Sequence, residues 1–196
     1  MPQSSPSLDQ LKNLALCYIA LSDKQWEDIA RYFKEKHVTK NEFLFREGQT
    51  GRHIYFICSG LIRNYYLKDG EEITRHFGQE NELLSAYVSF LTQTPTFENV
   101  QAVEDCRLLQ ISYDDLQYIY KKYPVWGNFF RQLLEKVYIE TTKRIEGFIC
   151  KTAEERYIDL ITRRPDLVRR VPLRYLATYL GITPVSLSRI RKKFKE

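Results

Sequence analysis

The sequence predicts an α+β protein: an N-terminal antiparallel β-roll or jelly roll with flanking helices, a long helix, and a C-terminal helix-turn-helix. Three patterns indicate this order. Seven or eight short extended runs, many bounded by glycine, follow one another between Val38 and Ile111, which is typical of a β-sandwich or jelly roll. Residues 125–149 carry an apolar stripe too wide for a solvent-facing helix. Residues 173–196 contain two short helical patterns joined at a glycine.

Composition and charge place the chain among globular proteins with one strongly basic segment. The chain has 196 residues, of which 43% are hydrophobic and 28% are charged. Residues 1–150 contain eighteen Lys or Arg and twenty Asp or Glu, whereas residues 151–196 contain twelve basic and five acidic residues. The positive charge therefore coincides with the helix-turn-helix pattern, as expected of a DNA-binding module attached to another domain.

Localisation and metal content are predicted from what the sequence lacks. The N-terminus has neither the basic start nor the apolar run of a signal peptide, and no apolar stretch is long enough to span a bilayer. We therefore expect a cytoplasmic protein with no membrane partner. The histidines and cysteines are too scattered for a metal site, so we predict no metal, no cofactor, no catalytic residues and four buried free thiols: Cys17, Cys58, Cys106 and Cys150.

The first two-thirds of the chain begins with helix and continues as strands. Residues 8–36 have helical spacing of apolar residues, with Ser22 or Asp23 as a cap. Asp69-Gly70 between two apolar runs is a strong hairpin signal. The predicted strands include Phe43–Phe45, Ile54–Ile57, Leu61–Leu67, Ile73–Phe77, Asn99–Val103 and Arg107–Ile111.

Helical patterns return after the last strand. Residues 112–123 form a predicted helix capped by Ser112, and a long helix follows Pro124. Its wide apolar stripe favours packing both on the sheet domain and on a second copy of the chain, although one sheet burying all of it is the alternative. Thr152-Ala-Glu-Glu155 is a capping box. The predicted domains are the roll at 1–123, the dimerisation helix at 124–150 and the DNA-binding domain at 151–196.

The C-terminal pattern matches a helix-turn-helix in its first helix, its turn and its second helix. Leu173, Leu176, Ala177 and Leu180 give the first helix one apolar face, and Gly181 suits the turn. Thr183 can cap the second helix and Pro184 fits its first position. Leu187, Ile190 and Phe194 share the core-facing side of that helix. The alternative is an ordinary helical hairpin whose basic tail is exposed to solvent.

Several short motifs occur along the chain in a characteristic order. The roll contains Phe45-Arg-Glu-Gly48, Tyr55-Phe-Ile-Cys-Ser-Gly60-Leu-Ile-Arg and Asp69-Gly70; Ile111-Ser-Tyr follows it, Tyr123-Pro124 precedes the long helix, and Leu180-Gly-Ile-Thr and Ser188-Arg-Ile lie in the tail. Together they resemble the CRP/FNR family of bacterial transcription regulators, over essentially the whole chain from residue 20. The resemblance implies a cyclic-nucleotide-binding-like roll, a dimerisation helix, and a homodimer that regulates transcription by binding specific DNA sequences.

Departures from the family pattern concern the effector. Members that bind cyclic nucleotides hold the phosphate with a Gly-Glu turn and an Arg-Ser pair; here Asn81 replaces the glycine, and Thr96-Phe97 stands in place of Arg-Ser. Without that arginine the phosphate loses its charge-assisted contact, so we do not expect cyclic AMP to be the ligand. A Thr-Thr pair stands where relatives place Thr-Ser against the purine, with plain helix surface as the alternative. The candidate effector pocket comprises Glu82, Leu83, Thr96, Phe97, Thr141 and Thr142.

The resemblance also assigns roles along the second tail helix. Relatives often carry Arg-Glu-x-x-x-Arg there and continue into a small wing, most of which is missing from this chain. Only Arg189 keeps a side chain suited to bidentate pairing with guanine, and Val185 suits a thymine methyl. The remaining predicted DNA contacts are Thr183, Pro184, Ser186 and Ser188 for phosphates or bases, and Lys192 and Lys193 for phosphates.

Three functions are therefore compared. The leading one is a homodimeric regulator that binds double-stranded DNA, senses a small-molecule effector of unknown identity through its roll, and has RNA polymerase as a further partner. The second is a ligand-sensing roll whose basic tail is a degenerate or protein-binding module, which salt-sensitive binding to duplex DNA would distinguish. The third is a jelly-roll enzyme, which needs clustered histidines and carboxylates that the sequence does not supply.

Overall fold

The computed structural model describes residues 5–194. Residues 1–4 and 195–196 lie outside the described residues. The predicted α+β architecture is confirmed. Within residues 5–194, eight strands form two four-stranded sheets, a long helix follows them in the sequence, and four short helices come after it.

The N-terminal segment differs from its prediction. Helix α1 (Pro6–Leu16) and helix α2 (Asp23–Ala30) are separate, and Ser22 caps α2 through a reciprocal capping box with Gln25. The predicted helix over 8–36 is wrong at its end, because Lys34–Val38 is strand β1. All five residues of β1 pair antiparallel with a later strand, from Lys34 opposite Gln110 to Val38 opposite Cys106. These backbone pairs outweigh the helical spacing that continues past Phe33.

Two four-stranded sheets form the roll. The first has the order β1-β8-β3-β6 and the second β2-β7-β4-β5. The hairpin at Asp69-Gly70 is confirmed, since both residues have positive φ, +53° and +82°, as a type I′ turn requires. The strands after β1 are β2 (Phe43–Phe45), β3 (His53–Ser59), β4 (Ile62–Lys68), β5 (Glu71–Gly78), β6 (Leu83–Leu84), β7 (Asn99–Ala102) and β8 (Cys106–Ser112).

Helices cover the first sheet with an aromatic core. Helix α3 (Tyr87–Thr92) lies between β6 and β7, helix α4 (Tyr113–Lys122) begins at its Ser112 cap, and helix α5 runs from Pro124 to Cys150. The start of α5 supplies Trp126, whose ring centroid lies 4.8 Å from Phe129 and 6.2 Å from Trp26. These rings are buried together with apolar residues of α1, α2, α4 and β8, so the first two turns of α5 belong to the core of the roll.

The chain divides into two compact units. The first comprises the residues up to Asn64 together with Phe77–Glu135, and the second comprises Tyr65–His76 together with the residues after Glu135. Helix α5 thus begins in one unit and ends in the other. The three functional domains inferred from sequence stay a prediction.

Four short helices follow α5 in the second unit. Helix α6 (Ala153–Arg163) has the predicted capping box between Thr152 and Glu155, helix α7 (Pro165–Arg170) was not predicted, and α8 (Leu173–Tyr179) and α9 (Pro184–Lys193) follow. Pro165 occupies the first turn of α7, where its missing N–H costs nothing. The buried apolar residues of these helices and their connections are Tyr157, Leu160, Leu167, Val168, Val171, Tyr175, Leu176, Ala177, Leu180 and Leu187.

The predicted burial of the thiols is half right. Cys58 and Cys106 are buried, and burial raises the pKa of Cys106 to about 11. Cys17 and Cys150 are exposed because each lies at the C-terminal end of a helix. The prediction is wrong for these two residues.

Candidate nucleic-acid interface and effector site

The turn between α8 and α9 is built around Gly181. Its φ is +69°, and the Ile182 N–H donates back to the Ala177 carbonyl at 3.0 Å, which closes the end of α8. Ala177 and Leu187 are fully buried, so the two helices pack closely at a small residue. These features establish the predicted helix-turn-helix geometry.

The first turn of α9 is closed by its own side chains. The Thr183 hydroxyl accepts a hydrogen bond from the Ser186 N–H at 3.2 Å and donates to the Ser186 hydroxyl at 3.0 Å. Pro184 occupies the first helical position as predicted. Both hydroxyls therefore stabilise the helix start, in addition to any DNA contact that the sequence assigned to them.

One face of α9 is exposed and carries both basic and apolar side chains. Val185 is 61% exposed, and Arg189 and Lys192 are exposed at positions four and seven residues further on, which places all three on one side of the helix. Ser188 is half-buried beside this face. An exposed face of this kind can enter a groove without disturbing the core.

Two residues of the predicted tail behave differently from the rest. The Lys193 ammonium forms an ion pair with the Glu154 carboxylate at 2.8 Å, so its charge is already compensated by α6. Phe194 was placed on the core face with Leu187 and Ile190, but it is 42% exposed. Its ring lies 6.1 Å from that of Tyr157 at the end of the helix, where the core no longer surrounds it.

Two arginines hold the helix-turn-helix against α5 and α6. The Arg144 guanidinium donates to the Tyr179 carbonyl at 2.8 Å, and Arg156 donates to the Leu180 carbonyl at 3.1 and 3.2 Å. Both guanidinium groups also lie over the Phe148 ring, at 4.7 and 4.8 Å from its centroid. Sequence reasoning missed this role, since the partners are main-chain carbonyls far along the chain. The only local signal is a pair of arginines on otherwise amphipathic helices.

The predicted effector residues of the roll are engaged in their own turns. Glu82 accepts a hydrogen bond from the Gln79 N–H at 3.1 Å, and Leu83 is buried in β6. The Thr96 hydroxyl accepts from the Glu98 N–H at 2.9 Å, whereas Phe97 is 78% exposed. The third part of the predicted pocket, Thr141 and Thr142, lies on the portion of α5 that belongs to the second unit. Thr141 is exposed there and Thr142 half-buried.

Two buried polar residues of β4 were not predicted. Asn64 donates its amide to the Glu98 carboxylate at 2.8 Å and to the Ser85 carbonyl at 3.2 Å. Next to it in β4, the buried Arg63 guanidinium donates to the Gln101 side chain at 2.8 Å. The available signal was the pair Arg63-Asn64 within an otherwise apolar strand.

Residues 5–194 include neither a metal-binding cluster nor a membrane-spanning helix. Within that range, no group of three or more His, Cys, Asp or Glu side chains is arranged to hold a metal ion. Over the same range, no helix is both long enough and apolar enough to cross a membrane.

The chain is similar to one known domain family and to bacterial regulatory proteins. The profile of the cyclic nucleotide-binding domain matches residues 35–123. The anaerobic regulatory protein of Haemophilus influenzae is 26% identical over 175 residues, covering 83% of this chain and 67% of that protein. The fumarate and nitrate reduction regulatory protein of Vibrio cholerae is 27% identical, covering 83% and 69%.

The fold has a close counterpart among solved structures. A CooA mutant from Carboxydothermus hydrogenoformans superposes with a TM-score of 0.72 at 19% identity, covering 98% of this chain and 85% of that one. With the two-sheet roll, the long helix and the helix-turn-helix, these similarities support the resemblance of the chain to the CRP/FNR family of transcription regulators.

Proposed function

We propose that the protein is a homodimeric transcription regulator that binds specific sites on double-stranded DNA through α9. The observation that carries this proposal is the exposed face formed by Val185, Arg189 and Lys192 on a helix whose opposite side is buried. A helix held in this way fits the major groove, and a dimer would read two half-sites about one helical turn apart. Arg189 is assigned to a guanine and Lys192 to a phosphate.

The homodimer is supported by the second half of α5. Tyr138, Ile145 and Ile149 are 73%, 54% and 76% exposed, although they are large and apolar. A single chain gains nothing from leaving such side chains in water, whereas a second copy of α5 would bury them. We therefore restrict the proposed dimer interface, which the sequence assigned to residues 125–149, to the second half of α5. Its first turns are excluded because Trp126, Phe129 and Phe130 are already buried within the roll.

We further propose that the roll senses a small molecule other than cyclic AMP. A cyclic phosphate needs a cation at its site, and Thr96-Phe97 supplies none. The neighbouring Glu98 carboxylate is buried and hydrogen-bonded to Asn64, so a second anion beside it would be repelled as well as desolvated. The effector of the roll is thus expected to be neutral or weakly charged.

The DNA assignment is tested with three variants and two duplexes. A specific duplex is selected from random sequences, and affinities for it and for a scrambled duplex are measured at several salt concentrations. Arg189→Ala should lose about 1–3 kcal/mol on the specific duplex only and relax the preference at one base pair. Lys192→Ala should weaken both duplexes alike and lower the salt slope by about one.

Lys193→Ala is the matched control for Lys192→Ala. Because Lys193 is paired with Glu154, its removal should change the salt slope less than the removal of Lys192 does. Salt-insensitive or undetectable binding of every duplex would refute the proposed function and favour a tail that binds protein instead. An equal loss on both duplexes for Arg189→Ala would make this residue a phosphate contact only.

The remaining parts of the proposal follow from DNA binding. A bacterial regulator of this kind works in the cytoplasm, where the DNA is, and acts on transcription through RNA polymerase. The function is regulatory, and we propose no enzymatic activity, in keeping with the regulatory relatives.

A further inference from the structure

The second unit contains a cavity of about 380 Å³ between the C-terminal half of α5, helix α6 and the end of α8. Its walls are unusually basic. The acidic side chains among them are Glu140 and Asp159, and Asp159 already pairs with Lys151 and, at 3.7 Å, with Arg163. The basic side chains are Lys143, Arg144, Arg156, Arg163 and Arg164. The cavity therefore has an excess of positive charge that its own carboxylates do not balance.

Arg144 shows that this charge is poorly solvated. Its Nη2 is used by the Tyr179 carbonyl, but its Nε–H is buried and makes no hydrogen bond within residues 5–194. Burial lowers the pKa of Arg144, which means that water does not compensate the guanidinium fully. The pKa of the nearby His76 is lowered by burial and then by Arg164, Arg75 and Arg144, so the positive potential extends over this part of the unit. An anion in the cavity would relieve both effects.

The rest of the wall is apolar and partly aromatic. Phe148, Tyr179 and Leu180 line the cavity beside the arginines, and the Arg144 guanidinium lies 4.5 Å from the centre of the Tyr179 ring. A ligand that fits must therefore combine negative charge with a flat, apolar part. The volume matches a molecule of about the size of a mononucleotide.

We propose that this cavity is a binding site for a small organic phosphate. Several separate cations converge on it, whereas one bidentate arginine would be enough for a carboxylate. A phosphate monoester offers three acceptor oxygens and nearly two negative charges, which suits Lys143 and Arg163 at the rim together with Arg144. The site consists of residues other than those of the predicted effector pocket in the roll. Its ligand touches α5, α6 and the end of α8 together, and so it is placed to adjust the helix-turn-helix.

Binding is tested with adenosine monophosphate as the probe and the full chain as the protein. Titration calorimetry should show saturable binding of AMP, and weaker or no binding of adenosine and of inorganic phosphate, each of which lacks half of the expected contacts. The double variant Lys143→Gln/Arg163→Gln should weaken AMP binding by about tenfold or more, corresponding to about 1.4 kcal/mol. Neither side chain donates to the carbonyls of the turn, so the variant should fold normally.

Two controls distinguish the site from other anion sites. Lys136→Gln/Arg169→Gln removes the same charge from α5 and α7 outside the cavity and should leave AMP affinity within about twofold. Thr96→Val/Glu82→Gln, in the roll, should leave it unchanged. The proposal is overturned if AMP shows no saturable heat up to about 5 mM, a range that would still reveal very weak sites. It is also overturned if either control weakens AMP binding as much as the cavity variant does. A cavity variant that keeps its affinity for AMP and loses affinity only for scrambled DNA would overturn it as well.

Discussion

Gly181 provides a quantitative test of how the helix-turn-helix is held, because alanine at this position meets two separate obstacles. The φ of +69° lies in the left-handed region, which costs a residue with a Cβ about 1 kcal/mol or somewhat more. The added Cβ would also lie 2.7 Å from Cε1 of Phe148, so the ring must move. That ring contacts the guanidinium groups of Arg144 and Arg156, and each such contact is worth about 0.5–1 kcal/mol at a partly exposed site. Gly181→Ala should therefore cost about 2–3 kcal/mol of unfolding free energy.

The chain offers a matched control for the backbone part of this cost. Gly70 has a φ of +82°, but nothing lies within 4 Å of the Cβ it would gain. Gly70→Ala should then cost only the conformational share, about 1 kcal/mol. In a Phe148→Ala background, Gly181→Ala should fall to the same value, because the obstructing ring is gone.

The assay is urea denaturation of the four proteins and the wild type, followed by circular dichroism. Equal losses for Gly181→Ala and Gly70→Ala would refute the reasoning, since the approach of Phe148 would then contribute nothing. A loss at Gly181 that persists unchanged without the Phe148 ring would contradict it independently.

Three further predictions concern assembly, pH and ligand choice. Ile145→Asp/Ile149→Asp should produce monomers in sedimentation, because charges would enter the proposed interface, while Val88→Asp, exposed on α3, should not; a monomeric wild type at micromolar concentration would contradict the dimer. Hydrogen bonds from Lys122 and then Tyr123 lower the pKa of Asp28 below 3.8. Asp28→Asn should therefore lower the free energy of unfolding, and the whole of this loss should be present at pH values well above 3.8. This loss should vanish as the pH falls through the lowered pKa, and a loss that persists in acid would mean packing rather than charge. Calorimetry with cyclic AMP should show no micromolar binding to the roll, and micromolar affinity that depends on Thr96 or Glu82 would refute the proposed ligand class.

Much of the fold could be predicted because its signals are local. Ser22, Ser112, Thr152 and Thr183 cap helices through residues three positions away, and such pairs are visible in any sequence. Asp69-Gly70 likewise determines its hairpin by the φ values that these residues tolerate. Strand β1 escaped prediction because Lys-Glu-Lys-His-Val lacks apolar alternation, and only its pairing with β8 makes it a strand.

The candidate sites could be predicted only where the chemistry lies on one element. The exposed set on α9 follows from helical spacing, so Val185, Arg189 and Lys192 were identifiable in advance. The ion pair of Lys193 with Glu154 was not, because its partner lies on α6. The basic cavity was invisible for the same reason: its arginines come from α5, α6 and the loop after α6, and only the fold brings them to one wall.

Two neighbouring faces of the C-terminal half of α5 have different roles. Ile145 and Ile149 are one turn apart and exposed, whereas Arg144 and Phe148, one residue earlier in each case, bear on the end of α8. Successive residues on a helix point about 100° apart, so these pairs form adjacent stripes rather than one. If a second copy of α5 covers the isoleucine stripe, any rotation of α5 in that interface must also shift the arginine stripe. The carbonyls of Tyr179 and Leu180 would move with it, and α9 begins only four residues after Leu180. A regulator built in this way needs no flexible linker to pass a change in dimer packing to its DNA-reading helix.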